Sequence, residues 1–231
     1  MTGVVDGRAT PGAAVISSRR AKLSTRLLSA GVGARFILPQ TSEPGAQIPP
    51  LRPPLLLDTT ALDVLTSAAF LLELTGRRPP IATVALARPD DHATQAILSI
   101  CPAVYAVVAD TDDLRVLAPL IRLGGLCDET RLDMLGPYWI GLPPPDRPPI
   151  TMSDLRILVA LSQATSFEDA AARAAISLRT FYRRLAQLRA GLGLPPATFA
   201  TRAEEVVATT VAALANPDWR SPSASPRLID S

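Results

Sequence analysis

The segment IATVALARPDDHATQAILSICPAVYAVVA, residues 81–109, carries two short apolar runs on either side of a stretch with helical periodicity. The runs, 81–87 and 104–109, are nearly uninterrupted. A strand with one wet face alternates apolar and polar residues, whereas a run that is apolar throughout suits a strand buried on both sides. The intervening segment, 91–100, has the length and period of a helix. Strand, helix and strand in that order join parallel neighbours.

The same alternation extends toward the N-terminus. Apolar runs fall at 13–17, 34–38 and 55–58, and helical-period segments at 21–30, 61–75 and, beyond the last strand, 112–123. Residues 12–125 therefore predict an α/β domain of the flavodoxin-like type, a parallel sheet covered by helices on both faces. Three Pro-rich stretches punctuate the chain, at 42–54, at 136–149 and in the tail from Pro217. Stacked prolines stiffen a spacer and cannot supply ladder hydrogen bonds, so 126–149 is expected to be an interdomain linker. Residues 1–11 and 216–231 are expected to be disordered. From residue 150 onward the pattern is helical only, which predicts a second, all-α domain over 150–215.

Composition narrows the function classes. The 231 residues are 48% hydrophobic, with a net charge of +2 and a sequence pI near 8.8. Attraction to a polyanion must therefore come from local clustering rather than the whole chain. Of 23 basic residues one is Lys22 and 22 are arginine, which reflects codon bias in a GC-rich bacterial genome. Cys101 and Cys127 are too few and too isolated for a disulfide framework or zinc site, and His92 is the sole histidine. No apolar run reaches the roughly 18–20 residues that span a bilayer, and the N-terminus lacks a signal-peptide pattern. A cytoplasmic protein without metal or cofactor is expected. There is no glycine-rich phosphate loop and no nucleophile–His pair, so an enzyme is not expected.

The helical half carries the sharper signal. In TMSDLRILVALS, 151–162, Thr151 is placed to cap a helix with Asp154 in its first turn. In TSFEDAAARA, 165–174, Ser166 caps a second helix with Glu168 and Asp169 at its start. The turn AIS follows, and Ser177 caps a third helix that opens at Leu178. A short Ala-rich helix, a turn and an Arg-rich helix make a helix-turn-helix. At about 100° per residue, Phe181, Leu185, Leu188 and Leu192 form one stripe, with Arg179, Arg183, Ala186 and Ala190 nearly opposite and Tyr182 and Gln187 flanking. From 173 to 189 there are five arginines and no acidic residue. A solvated face would mix signs, because acidic residues four before basic ones stabilise a helix. One-sided charge suits the DNA major groove, where Arg pairs with guanine and flanking arginines meet phosphates. The plainer alternative is an Arg-rich solvent face.

Residues 150–194 resemble, without an obvious gap, the DNA-binding domain of LuxR/NarL-type (GerE-like) bacterial regulators. Ile150, Thr151 and Asp154 match the family's opening, Ser166 its second-helix cap, and Ile176, Ser177, Thr180 and Phe181 its Ile-Ser-x-x-Thr-Val. Leu192, Gly193 and Leu194 match its closing Leu-Gly-Val. The resemblance implies that Thr180 holds a backbone phosphate and that Tyr182, Arg183 and Ala186 face base edges, with Arg184 near phosphate. The expected DNA surface is thus Ser177, Arg179, Thr180, Tyr182, Arg183, Arg184, Ala186, Gln187 and Arg189. Tyr182 departs from the small basic or polar residue usual there. The link 195–201 is longer than usual before a fourth helix, 202–214, which in relatives forms the dimer contact.

The first half resembles the phospho-receiver domain that often precedes such modules. AAVISS matches its first strand, LLLD its third, ending at Asp58, and VYAVVADTDDLRVLAPLIRLGG its last strand and helix; the second helix is replaced by the loop 41–54. Receiver chemistry needs paired carboxylates for Mg²⁺, an acceptor Asp, a hydroxyl and a Lys. Here Ser17, Ser18 and Arg19 replace the acid pair, the hydroxyl position falls near Leu86 or Ala87, and the Lys position near Val108 or Ala109. Asp58 alone remains, as a degenerate phosphoacceptor position. Arg19 is a candidate to ion-pair with it and imitate a bound cation; the blander reading makes Asp58 a cap or turn former. Asp90 and Asp91, with Asp110, Asp112 and Asp113, read as solvated loop charge. The implied protein is an atypical response regulator that binds double-stranded DNA as a homodimer without Asp phosphorylation. Its strand-end crevice is the default place for a small-molecule ligand. The alternative is an adaptor whose helix-turn-helix binds a partner regulator or an RNA polymerase subunit.

Overall fold

In the computed structural model six strands form one all-parallel sheet in the order β2-β1-β3-β4-β5-β6. The strands are β1 (Gly12–Ile16), β2 (Gly33–Ile37), β3 (Leu55–Asp58), β4 (Thr83–Ala87), β5 (Val104–Ala109) and β6 (Tyr138–Ile140). The structure describes residues 12–37, 54–77, 81–111, 114–125, 137–145, 150–197 and 202–216. The expected disordered termini, most of the loop 41–54, the linker segments 126–136 and 146–149, and Asp112, Asp113 and Cys127 lie outside these residues, apart from Asn216.

The first five strands have the flavodoxin-like order, and the winding reverses between β1 and β3. The near-continuous runs are explained by burial on both sides. Ala13, Val15, Leu56, Val84, Leu86, Ala106 and Val108 share one cluster with Leu23 and Leu27 of α1 (Arg20–Ser29) and Leu117 and Ile121 of α4 (Leu117–Gly124). The intervening residues Ile16, Leu55, Leu57, Ala85 and Val107 are equally buried. Each such Leu or Ile contributes about 1.5–3 kcal/mol over its exposed state. Helix α1 ends in a Schellman turn, with Gly31 at φ 72° and the Val32 N–H donating to Leu27 O at 2.9 Å. Gly124 ends α4 beneath Tyr105, whose hydroxyl donates to Leu120 O at 2.7 Å. A Cβ at position 124 would meet that hydroxyl at 2.3 Å.

Strand β6 corrects the reading of 126–149 as wholly linker. Tyr138, Trp139 and Ile140 pair in parallel with Ala106, Val107 and Val108 at the sheet edge. Two aromatics and a β-branched residue favour a strand. An edge strand needs a ladder on one side only, so flanking prolines are tolerated outside it.

The described chain falls into two compact units that are not consecutive in sequence. One holds the sheet with α1 and α4. The other combines α2 (Val64–Gly76) and α3 (His92–Ser99) with the C-terminal helices α5 (Met152–Ser162), α6 (Phe167–Arg173), α7 (Leu178–Gly191) and α8 (Ala203–Ala215). Within that helical unit α5 is packed by α2, α6, α7 and α8, and α3 lies against α8. Its core is Ile157, Leu161, Ala170, Ala171, Phe181, Leu185, Val206 and Val207. No described helix is long and apolar enough to cross a membrane.

The caps read from the sequence are present. Thr151 and Asp154 form a reciprocal capping box, Ser166 accepts from the Asp169 N–H at 3.1 Å, and Ser177 accepts from the Thr180 N–H at 3.2 Å. Each satisfies an otherwise orphaned helix-start donor, worth about 1 kcal/mol.

Candidate functional site

Helices α6 and α7 are joined by a turn in which Ala175 stands at φ 56°, the left-handed region. The Ala175 N–H donates to Ala172 O at 3.0 Å and the Ile176 N–H to Ala171 O at 3.1 Å, a Schellman closure without glycine. The turn ends on Ser177, which starts α7. Arg173 of α6 is ion-paired with Asp169 at 3.1 Å, one turn earlier on the same helix.

Helix α7 buries Phe181, Leu185 and Leu188. Its opposite side exposes Arg179, Arg183, Gln187 and Ala190, while Thr180, Tyr182, Arg184 and Ala186 are half-buried. Arg179, Arg183, Arg184 and Gln187 make no hydrogen bond or ion pair with another described residue. Ser177 and Thr180 are partly occupied with each other: the Ser177 hydroxyl donates to Thr180 Oγ1 at 2.9 Å as well as accepting from its N–H. Both lie at the positive end of the α7 dipole.

Tyr182 is fixed by stacking, a contact not read from the sequence. Its ring lies 5.3 Å from that of Phe167, tilted by 33°, and Phe167 meets Phe181 edge-on at 6.4 Å. Burial, then the charge of Glu168, pushes the Tyr182 hydroxyl pKa upward. A tyrosine five residues after a cap, on the boundary of an apolar stripe, was the available signal.

Arg189 leaves the expected DNA surface. It is only 5% exposed, and its guanidinium donates inward to Pro195 O at 2.8 Å, Thr209 Oγ1 at 2.9 Å, Thr210 Oγ1 at 3.2 Å and Val206 O at 3.4 Å. At 100° per residue it sits only about 80° from Phe181, on the edge of the apolar stripe. It ties α7 to α8 and to the turn between them. The arginine count along the sequence missed this because it ignored that angle.

A second cluster occupies the carboxyl ends of β1, β3 and β5 within the sheet unit. Asp58 is fully buried, and both its oxygens are engaged. Oδ2 accepts from the Ser17 hydroxyl at 2.6 Å and Arg19 Nε at 3.2 Å; Oδ1 accepts from Arg19 Nη2 at 2.8 Å and the Thr60 hydroxyl at 2.7 Å. Arg19 also reaches Asp110 at 3.2 Å, and Arg26 reaches the other Asp110 oxygen at 2.7 Å and the Thr111 carbonyl. The guanidinium of Arg19 therefore bridges two carboxylates. Burial works against its charge, but the hydrogen bond and charge of Asp58, with those of Asp110, outweigh this and raise its pKa. For Asp110 burial pushes upward, while Arg26 and Arg19 prevail and hold the carboxyl below the usual range. Asp110 is thus part of a built network, not a solvated loop charge. Asp91 caps α3 by accepting from the Thr94 N–H at 3.0 Å, and Asp90 is exposed. Leu86, Ala87, Val108 and Ala109 are buried strand residues.

No protein-family model, curated protein or solved structure matches the chain.

Proposed function

We propose that the chain is a sequence-specific, non-catalytic DNA-binding transcriptional regulator that inserts α7 into the major groove. The observation that carries this reading is the outer face of α7, where Arg179 and Arg183 are exposed, of one sign and without partners among the described residues. The capped α6–turn–α7 geometry and the resemblance of residues 150–194 to LuxR/NarL-type domains support it. In this reading exposed arginines supply a salt-sensitive phosphate attraction, and the groove-facing side of α7 supplies sequence choice. Binding as a homodimer places two α7 helices on half-sites about 34 Å apart.

The engagement of both Asp58 oxygens by Ser17, Thr60 and Arg19 supports regulation independent of phosphorylation at that residue. A carboxylate with neither oxygen free and a cation already beside it is poorly placed to attack phosphorus.

Gel shifts against fragments of the source genome in rising salt test the proposal. Specific complexes are expected to weaken steeply, with each lost phosphate contact lowering the salt slope by about 1. Arg183→Ala is expected to lose preference for its site while the fold persists. Indifference to every fragment, together with a protein partner retained on the same basic face, would establish the adaptor reading instead. Acetyl phosphate is expected to leave the mass of the protein unchanged.

A further inference from the structure

Resting on that reading of α7, we infer that each half-site is read through two guanines about two base pairs apart, one met by Arg179 and the other by Arg183. Both residues are exposed on one side of α7, four positions apart, and neither is held by a described neighbour. Four residues advance a helix by about 6 Å, and base pairs stack about 3.4 Å apart, so the two guanidinium groups span roughly two steps of the duplex. Both lie in the N-terminal half of the helix, the part that reaches base edges in helix-turn-helix complexes. A guanidinium fork fits the O6 and N7 acceptors of guanine, the pair that defines that base in the major groove.

The rest of α7 narrows the assignment. Continuing along the same face come Ala186 and Ala190, which offer only methyl groups and let the helix lie close to the groove floor. Tyr182 is committed to Phe167, and Arg189 to Pro195 and α8. Arg184 is half-buried and turned toward the flank, where a phosphate fits better than a base. Gln187, also long and exposed on this side, lies in the C-terminal half of α7, so base choice from the N-terminal half that enters the groove is concentrated in Arg179 and Arg183.

The test is selection of the full chain against a duplex library with a randomised core, followed by titration of the selected duplex. Each guanine of the motif is replaced in turn by 7-deazaguanine, which removes the N7 acceptor and keeps the base pair. The expected motif holds two guanines about two base pairs apart in each half-site. Each replacement is expected to weaken binding about 5- to 100-fold. Arg179→Ala is expected to become indifferent to replacement at one guanine and Arg183→Ala to the other, with circular dichroism unchanged in both variants. A motif lacking that pair of guanines, or binding untouched by 7-deazaguanine, overturns the inference while leaving DNA binding intact. Enrichment of no sequence, with phosphate-driven binding retained, overturns it equally. Failure to retain any duplex overturns the DNA reading itself.

Discussion

Replacing Arg19 by Met removes the one cation among the described residues that touches the fully buried Asp58 and leaves a side chain of similar length. Of its four donors among the described residues, Asp58 then keeps the Ser17 and Thr60 hydroxyls, at 2.6 and 2.7 Å. Breaking a fully buried ion pair from one side costs about 3–5 kcal/mol, because the surviving charge is stranded. The Arg19 side chain is 26% exposed, so water can replace part of what it supplies. Asp110 also retains Arg26. The expected cost therefore falls to the bottom of that range or below it, about 2–3 kcal/mol, or a factor of roughly 30–150 in the unfolding equilibrium. Urea unfolding of wild type, Arg19→Met, Asp58→Asn and the double variant, followed by circular dichroism at neutral pH, measures it as a cycle. The double variant is expected to lose less than the two single losses added, with a coupling of at least about 1.5 kcal/mol. A cost below about 0.5 kcal/mol for Arg19→Met, or additivity within that margin, would refute the argument that Arg19 neutralises Asp58.

Four further outcomes follow from the same geometry. Asp110 has a folded pKa below its unfolded value of about 3.9, so its stabilisation is present above that value and lost as pH falls through the folded pKa; Asp110→Asn should flatten the acid unfolding that sets in below about pH 4. Ala175→Gly should stabilise the helical unit by about 0.5–1 kcal/mol in chemical denaturation, since glycine accepts the left-handed φ and offsets part of the gain through its own chain entropy. Arg189→Met should cost about 2–3 kcal/mol in the same assay, by stranding the Pro195 carbonyl and loosening the Thr209 and Thr210 side chains, whereas Arg179→Ala and Arg183→Ala should stay within about 0.5 kcal/mol of wild type. Gly124→Ala should destabilise the sheet unit by about 1–3 kcal/mol, because the added methyl meets the buried Tyr105 hydroxyl and both must shift; an unchanged urea midpoint would show that the ring has room to move.

Short-range features are legible in the sequence. Ser166 and Ser177 act on N–H groups three residues away, and Thr151 with Asp154 closes its capping box over the same distance, so a local pattern was enough. The runs 81–87 and 104–109 declared themselves strands because apolarity on both faces leaves no polar alternation to read. The face of α7 bearing Arg179 and Arg183 followed from helical angle alone. The same arithmetic, applied to Arg189, places it at the stripe's edge, and only the arrival of Thr209 and Thr210 on α8 makes that edge an interior.

Local order along the chain settles the first five strands, the helices, their caps and the polarity of each face. Those depend on neighbours within a few residues, whose geometry the backbone supplies in advance. Strand order, the recruitment of Tyr138–Ile140 as a sixth strand, the packing of α2 and α3 with the C-terminal helices, and the union of Arg19 with Asp58 and Asp110 belong to the tertiary structure. Arg19 is 39 residues from Asp58 and 91 from Asp110 in sequence. No local signal spans such distances; the resemblance to receivers, by setting the ends of β1 and β3 side by side, made Arg19 a candidate partner of Asp58, but nothing in the sequence joined Asp110 to that pair. A parallel sheet brings the carboxyl ends of β1, β3 and β5 to one edge, and there the buried carboxylate takes the nearest cation because desolvation makes an unpaired charge too costly to keep.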